Sequence, residues 1–371
     1  MKSTDPTSGM HLRSLTGLRF YAAIAVVLYH LHLYFPPLGH SLDAAGYGFT
    51  GVSFFFVLSG FVLAWSYRDG DKARQFYRNR FARVWPLHAL TMFMAIFAPP
   101  LSTPTTVWPA APFVLTLTQS WLPGSDYLNA FNGVSWSLSC EAFFYLLFPF
   151  LVGLLSRIAR LTRFSAGLYF TMSALAMAAF LSIPIPVANY LLGTTPLYRL
   201  GEFVLGVSLA LLIKRGWRPR FGLLQAVILS ATLYGSLFVI SSTTVGDPGS
   251  LPVAWANLIM MPGFLAIIAA TSASDLNENN AILGSRPMVR LGQWSFALYL
   301  VHELVIRCMR PLVVGLNVGA AVVASAVVIA IALALSGVLH EFVERPVEKL
   351  LRSSRVRSKP STAPVPEETS R

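Results

Sequence analysis

Cysteine and charge are both scarce in this chain. Two cysteines in 371 residues, Cys140 and Cys308, show no C-x-x-C spacing, so no disulfide framework and no zinc or other metal site is expected. Charged residues make up 12% of the sequence, too few to keep a globular surface of this size in water. A glycine-rich phosphate loop, a G-x-S-x-G elbow and an H-E-x-x-H helix are all missing, which removes the soluble nucleotide-binding, α/β-hydrolase and zinc-protease classes.

Hydrophobic residues are abundant instead, at 55%, and they gather in runs near the roughly 20 residues that cross a bilayer. Ten spans are predicted, at 17–35, 47–66, 84–100, 134–154, 167–182, 199–213, 222–241, 252–271, 291–308 and 314–340, giving an all-α, polytopic membrane protein. Lys2 and Arg13 ahead of the first run imitate a signal peptide, but no small-residue cleavage site follows and the run continues to Phe35, so a retained first span is expected. On this reading 25 Lys and Arg fall on the side of the two termini, and only Arg199, Arg307 and Arg310 on the other. That asymmetry predicts cytoplasmic N- and C-termini in the cell membrane, and it accounts for a net charge of +12 without nucleic acid as a partner. The expected organisation is a polar tail over 1–14, one transmembrane domain over 15–346, and a basic, disordered cytoplasmic tail over 347–371.

Ionisable groups inside apolar spans are costly and usually face a cavity or pathway. Arg19 and His30 in LTGLRFYAAIAVVLYH are eleven residues apart, which puts them on nearly one helix face and roughly 16 Å apart along the axis. Ala22, Ala23 and Val26 between them are small enough to leave a groove. The bland reading is a snorkelling arginine and a histidine satisfied by a neighbouring helix. Gly51, Ser53, Ser59 and Gly60 in the second span fit close helix approach. In RQFYRNRFARVWP, Arg78, Arg80 and Arg83 crowd beside aromatic residues. If helical, Arg80 and Arg83 project together and could fork onto a phosphate, the alternative being attraction to anionic lipid. The stretch 99–133, proline-rich at its start, could form a lid. Glu141 lies one turn from Ser137 and Tyr145 and needs a partner, although packing glue is an ordinary role for such residues. Arg199 and Glu202 are spaced to pair with each other. Tyr299 and His302 share a face near the end of the ninth span.

By predicted depth, Arg19 and the 78–83 arginines fall on the side of the termini, whereas His30, Glu141, Tyr145, Arg199 and His302 fall in the other half. Phosphate binding on one side and an imidazole deeper in suit transfer of a group from a phosphorylated donor to an acceptor hydroxyl. Histidine is the expected base, because a pKa of about 6.5 lets it take and return a proton at neutral pH.

The same residues carry a resemblance. The chain resembles the acyltransferase 3 family of integral membrane O-acyltransferases over essentially its whole length. The resemblance rests on the Arg19-to-His30 spacing, the Gly51-to-Phe61 segment, Arg78/Arg80/Arg83 ending in Pro86, Ser135 to Tyr145 with Glu141, Gly292 to His302, and Glu344-Arg345-Pro346. It implies about ten helices, an acyl-CoA donor (acetyl-CoA being the expected one), and acylation of a hydroxyl on a carbohydrate-containing acceptor such as a surface polysaccharide, glycolipid or glycoside. It further implies His30 as base, Arg19 as its companion, Arg78, Arg80 and Arg83 as donor-binding residues, and an important place for Glu141. Tyr145, Arg199 and His302 are the candidates for meeting substrate, with Tyr145 and His302 as possible oxyanion donors. The LTGLRF form of the first motif looks like members that acylate sugars on macrolide antibiotics. Some relatives carry a fused extracytoplasmic hydrolase-like domain, which is expected to be absent here. Two alternatives compete: a transporter of an acyl or sugar compound, with no inverted repeat to favour it, and an acyl-enzyme route through Cys140, Ser137 or Ser139.

Overall fold

The computed structural model describes residues 12–352 apart from 69, 101–106, 245–250 and 278–281. Ten long helices dominate these residues, and no strand occurs among them. They are α1 (Arg13–Tyr34), α2 (Gly51–Ser66), α3 (Ala73–Ala95), α4 (Trp136–Ser156), α5 (Leu161–Ser182), α6 (Pro196–Lys214), α7 (Leu223–Thr244), α8 (Val253–Leu276), α9 (Arg286–Val313) and α10 (Val318–Leu339). Eight helical segments are long and apolar enough to cross a membrane, bearing out an all-α, polytopic fold. The remaining two, α3 and α9, are as long but carry more charge.

The third and ninth helices begin well before the predicted spans, at Ala73 and Arg286. Apolar runs mark where a helix enters hydrocarbon, not where it starts, and arginine and glutamine are good helix formers. The 78–83 arginines are therefore helical rather than in a loop, with Pro86 inside the helix. At the C-terminus, a π turn over His340–Glu344 leads into a short helix, Arg345–Arg352, past the expected boundary at 346. Residues 1–11 and 353–371, which hold most of the two expected tails, lie outside the described residues.

Close approach at small residues sets how the helices meet. A Cβ on Gly206 of α6 would land on the Val57 carbonyl of α2, and one on Gly60 would land on the Phe203 carbonyl. These two backbones touch because both positions lack a side chain, which in lipid is the main source of helix association. Gly292 of α9 meets the Thr16 carbonyl of α1 in the same way. Gly51 packs closely on Ala22 and Val26, while Val26 also borders the cavity that holds His30.

The starts of α1, α3 and α9 gather at one end with the finishes of α2, α6, α8 and α10. Ser14 donates from N and Oγ to Asp275 (2.9 and 2.8 Å), and Lys214 donates to the carbonyls of Ala64 and Tyr67 (2.9 and 3.0 Å). This is the basic end. His30 and the beginnings of α2, α6 and α8 lie at the other, the histidine end. There the described part of the 99–133 stretch folds into short helical turns. Fully buried Arg307 donates to the carbonyls of Pro99, Phe131 and Ala98 (2.7, 2.6 and 2.9 Å), holding both edges of that stretch on α9.

Candidate functional site

Three adjoining cavities run beside α1. At the basic end a cavity of about 560 Å³ is lined by Arg19, Arg68, Arg80, Arg83 and Lys214, among others. It shares Arg19 and Arg83 with a narrow waist of about 60 Å³, where Ser137, Glu141, Tyr145 and Tyr299 also lie. The waist shares Val52 and Tyr299 with a third cavity of about 270 Å³, lined by His30, Arg199, Asn257 and Glu303. Helical periodicity explains why one helix serves all three, because Arg19 and His30 fall on one face three turns apart.

At the basic end Arg83 pairs with Glu344 (3.1 Å) and Glu348 (3.5 Å), and Glu344 also accepts from His340 Nδ1 (3.0 Å). The Glu344-Arg345-Pro346 motif thus supplies the carboxylate that holds the α3 arginine. Arg80 lies over the rings of Phe76 (5.9 Å) and Tyr145 (6.0 Å). Arg78 is separated from these two: it donates to Gln75 (2.7 Å) and is not among the residues lining the cavity. Positions 80 and 83 are one turn apart, whereas 78 is rotated away from both. Arg68 and Lys214 complete the basic wall. Their places in basic segments beside span ends were the available signal, and one less specific than the RQFYRNRFAR run.

Glu141 and Tyr145 belong to the waist with Arg19, not with His30 as their predicted depth implied. Arg19 and Glu141 interact electrostatically there, and Tyr145 and Ser59 hydroxyls lie 3.4 Å apart. The depth estimate counted residues from the start of α4 and could not include the rotation that turns Glu141 toward α1. Tyr299 donates to the Val134 carbonyl (2.9 Å), which leaves its oxygen to accept from Ser137 (2.8 Å).

In the third cavity His30 is half-buried. Its Nδ1 lies 2.8 Å from the Val26 carbonyl and 3.2 Å from His302 Nε2, while His302 Nδ1 lies 3.1 Å from the Leu298 carbonyl. A carbonyl only accepts, so each neutral imidazole carries its proton on Nδ1. His302 Nε2 then accepts from His30, and the lone pair of His30 is left on Nε2, which has no partner among the described residues. His302, expected to meet substrate, is fully buried behind His30 and lines none of the three cavities. As an acceptor at Nε2 it is also no oxyanion donor. Arg199 does line this cavity, and it pairs with Glu202 as its spacing predicted (2.7 Å), with Ser53 accepting its second bond (3.1 Å).

Two residues here were not read from the sequence. Glu303 sits next to His302 in the chain and accepts from the Gly133 amide (3.3 Å). Asn257 is an amide in an otherwise apolar stretch of α8, a signal missed by attending to ionisable groups alone. Cys140 is fully buried, donates to the Thr194 carbonyl (3.3 Å) and lines none of the three cavities.

A helical membrane protein with a basic cavity leading to an unencumbered imidazole nitrogen has the layout of a membrane group-transfer enzyme. The chain belongs to the acyltransferase family whose domain profile matches residues 12–338, so it is an acyltransferase, as the resemblance implied. It is 36% identical over 394 aligned positions to "Acyltransferase MdmB" of Streptomyces mycarofaciens, covering 97% of both chains. It is 27% identical to "O-acetyltransferase OatA" of Staphylococcus aureus over 81% of this chain and 51% of that one. With "Peptidoglycan O-acetyltransferase OatA" of Listeria monocytogenes it shares 29% identity over 40% of this chain and 25% of that protein. The chain thus spans about half the length of the S. aureus relative, or less for the Listeria one. No solved structure matches it. Together these define a multi-pass membrane O-acyltransferase.

Proposed function

We propose that this enzyme moves an acetyl or other short acyl group from cytosolic acyl-CoA to a hydroxyl of a carbohydrate-containing acceptor, across the cell membrane. The observation that carries the reading is the bare Nε2 of His30, in a cavity that adjoins the basic one through the Arg19–Glu141 waist. The charge asymmetry orients the basic end toward the cytoplasm, where the donor is. Arg80, with Arg68 and Lys214, suits the anionic phosphates of the donor, and Arg83, held by Glu344 and Glu348, borders the same cavity. Arg78 would act at most from the periphery. The donor's pantetheine arm passes Arg19, Glu141 and Tyr145 in the waist so that the thioester reaches His30, and the acceptor enters from the histidine end, beside Arg199.

Transfer is direct. His30 Nε2 takes the acceptor's hydroxyl proton as the oxygen attacks the thioester carbon. The C–S bond breaks, and the imidazolium returns the proton to the departing thiolate. Arg19 and Tyr145 line the waist and steer the donor arm on its way to His30. An acyl-enzyme at Cys140 is disfavoured by that thiol's burial away from all three cavities.

The test is the purified protein in liposomes given radiolabelled acetyl-CoA on the basic side. Wild type should yield esterified acceptor and free thiol, and His30→Ala neither. A transporter would yield neither with wild type, and substantial turnover by His30→Ala would remove it as the base.

A further inference from the structure

The third cavity holds a polar group that the reaction above leaves unused. Asn257 is 2% exposed, and neither its side-chain oxygen nor its nitrogen has a hydrogen-bond partner in the structure. Buried amides are almost always satisfied by the protein, and an unsatisfied one costs the fold stability. Asn257 lines the same cavity as His30. Its NH2 group can donate and its oxygen accept from whatever enters.

We propose that Asn257 is the residue that binds the acceptor, and that the acceptor unit is a single neutral sugar ring. This rests on the acyl-transfer reading for the reaction but not for binding. An amide that donates and accepts at one place is matched by a hydroxyl, or by two adjacent ones, and poorly by an anion. The charge of the cavity agrees. Arg199 is already committed to Glu202 at 2.7 Å, and Glu303 contributes a carboxylate to the wall, so no net positive charge attracts a uronate or sialate. Trp136 and Phe49 supply apolar surface beside these polar groups. A volume of about 270 Å³ lies just below the roughly 300–1,000 Å³ of small-molecule sites, room for one ring with the rest of the acceptor outside. Asn257 holds one ring hydroxyl so that a neighbouring hydroxyl meets His30 Nε2.

The test measures binding without turnover. Thermal unfolding of the purified full chain is followed with the methyl pyranosides of glucose, galactose, mannose, rhamnose, N-acetylglucosamine and glucuronic acid, and separately with acetyl-CoA. At least one neutral glycoside should raise the unfolding midpoint of wild type, and the glucuronide should not. In Asn257→Leu the unliganded midpoint should be unchanged or higher, because an unpaired amide is replaced by an apolar group of similar size. Its apparent Kd for the glycoside should rise about ten- to a hundredfold, the effect of two lost hydrogen bonds, with the acetyl-CoA response retained. Asn257→Asp, which keeps shape and loses the donor, should weaken neutral glycosides as well. Equal glycoside binding by wild type and Asn257→Leu, tighter binding of the glucuronide, or no response to any neutral glycoside would overturn the proposal. A drop in the unliganded midpoint of Asn257→Leu with glycoside binding intact would make the residue structural. Failure of the acyl-transfer reading would appear separately, as labelled acetyl-CoA that never yields ester.

Discussion

Replacing His302 with phenylalanine probes the arrangement behind His30. The change keeps a planar ring in a fully buried position and removes the Nε2 that accepts from His30 Nδ1 at 3.2 Å. The Val26 carbonyl at 2.8 Å remains, so His30 keeps its tautomer and its bare Nε2. In the resting enzyme the lost bond is neutral and contributes about 0.5–1.5 kcal/mol. Once His30 has taken the acceptor proton the same bond is charge-assisted, worth about 1.5–3 kcal/mol. The difference, about 1–1.5 kcal/mol, falls on the transition state alone. At about 1.4 kcal/mol per factor of ten, kcat should drop roughly tenfold with KM for acyl-CoA unchanged. His302→Gln, whose side-chain oxygen can accept, should recover part of the rate. Ester formation measured in liposomes against concentrations of both substrates separates the parameters. An unaltered kcat in His302→Phe, or a rate in His302→Gln no higher than in His302→Phe, would refute the positioning role.

Gly206→Val should lower the thermal midpoint by the equivalent of about 1–3 kcal/mol, because its Cβ lands on the Val57 carbonyl and forces α2 and α6 apart. Gly153→Ala, where a Cβ meets open space, should be neutral or stabilising in the same assay. Arg307→Met should leave the carbonyls of Pro99, Ala98 and Phe131 without their donor, at about 1 kcal/mol or more each. Limited proteolysis should then cut between residues 98 and 131 faster than in wild type. A maleimide should label exposed Cys308 in the folded protein and buried Cys140 only after denaturation. Glu344→Gln should weaken the hold on Arg83 and raise KM for acyl-CoA severalfold with little change in kcat, measured by initial rates.

Much of this protein follows from local chain properties. Sparse charge and long apolar runs require membrane helices, and the eleven-residue spacing of Arg19 and His30 places them on one face of a single helix whatever surrounds it. The three-residue spacing of Arg199 and Glu202 likewise yields a pair without outside help. Tertiary structure decided which faces meet. His302 is near the end of the ninth helix by sequence, but only the approach of α9 to α1 at Gly292 puts it behind His30. Glu141 and Tyr145 join Arg19, and Glu344 reaches Arg83, through helix rotations that no single helix encodes. The physical reason is that periodicity is a property of one helix, whereas the angle between two helices comes from where small residues let backbones touch. That contact depends on both partners at once.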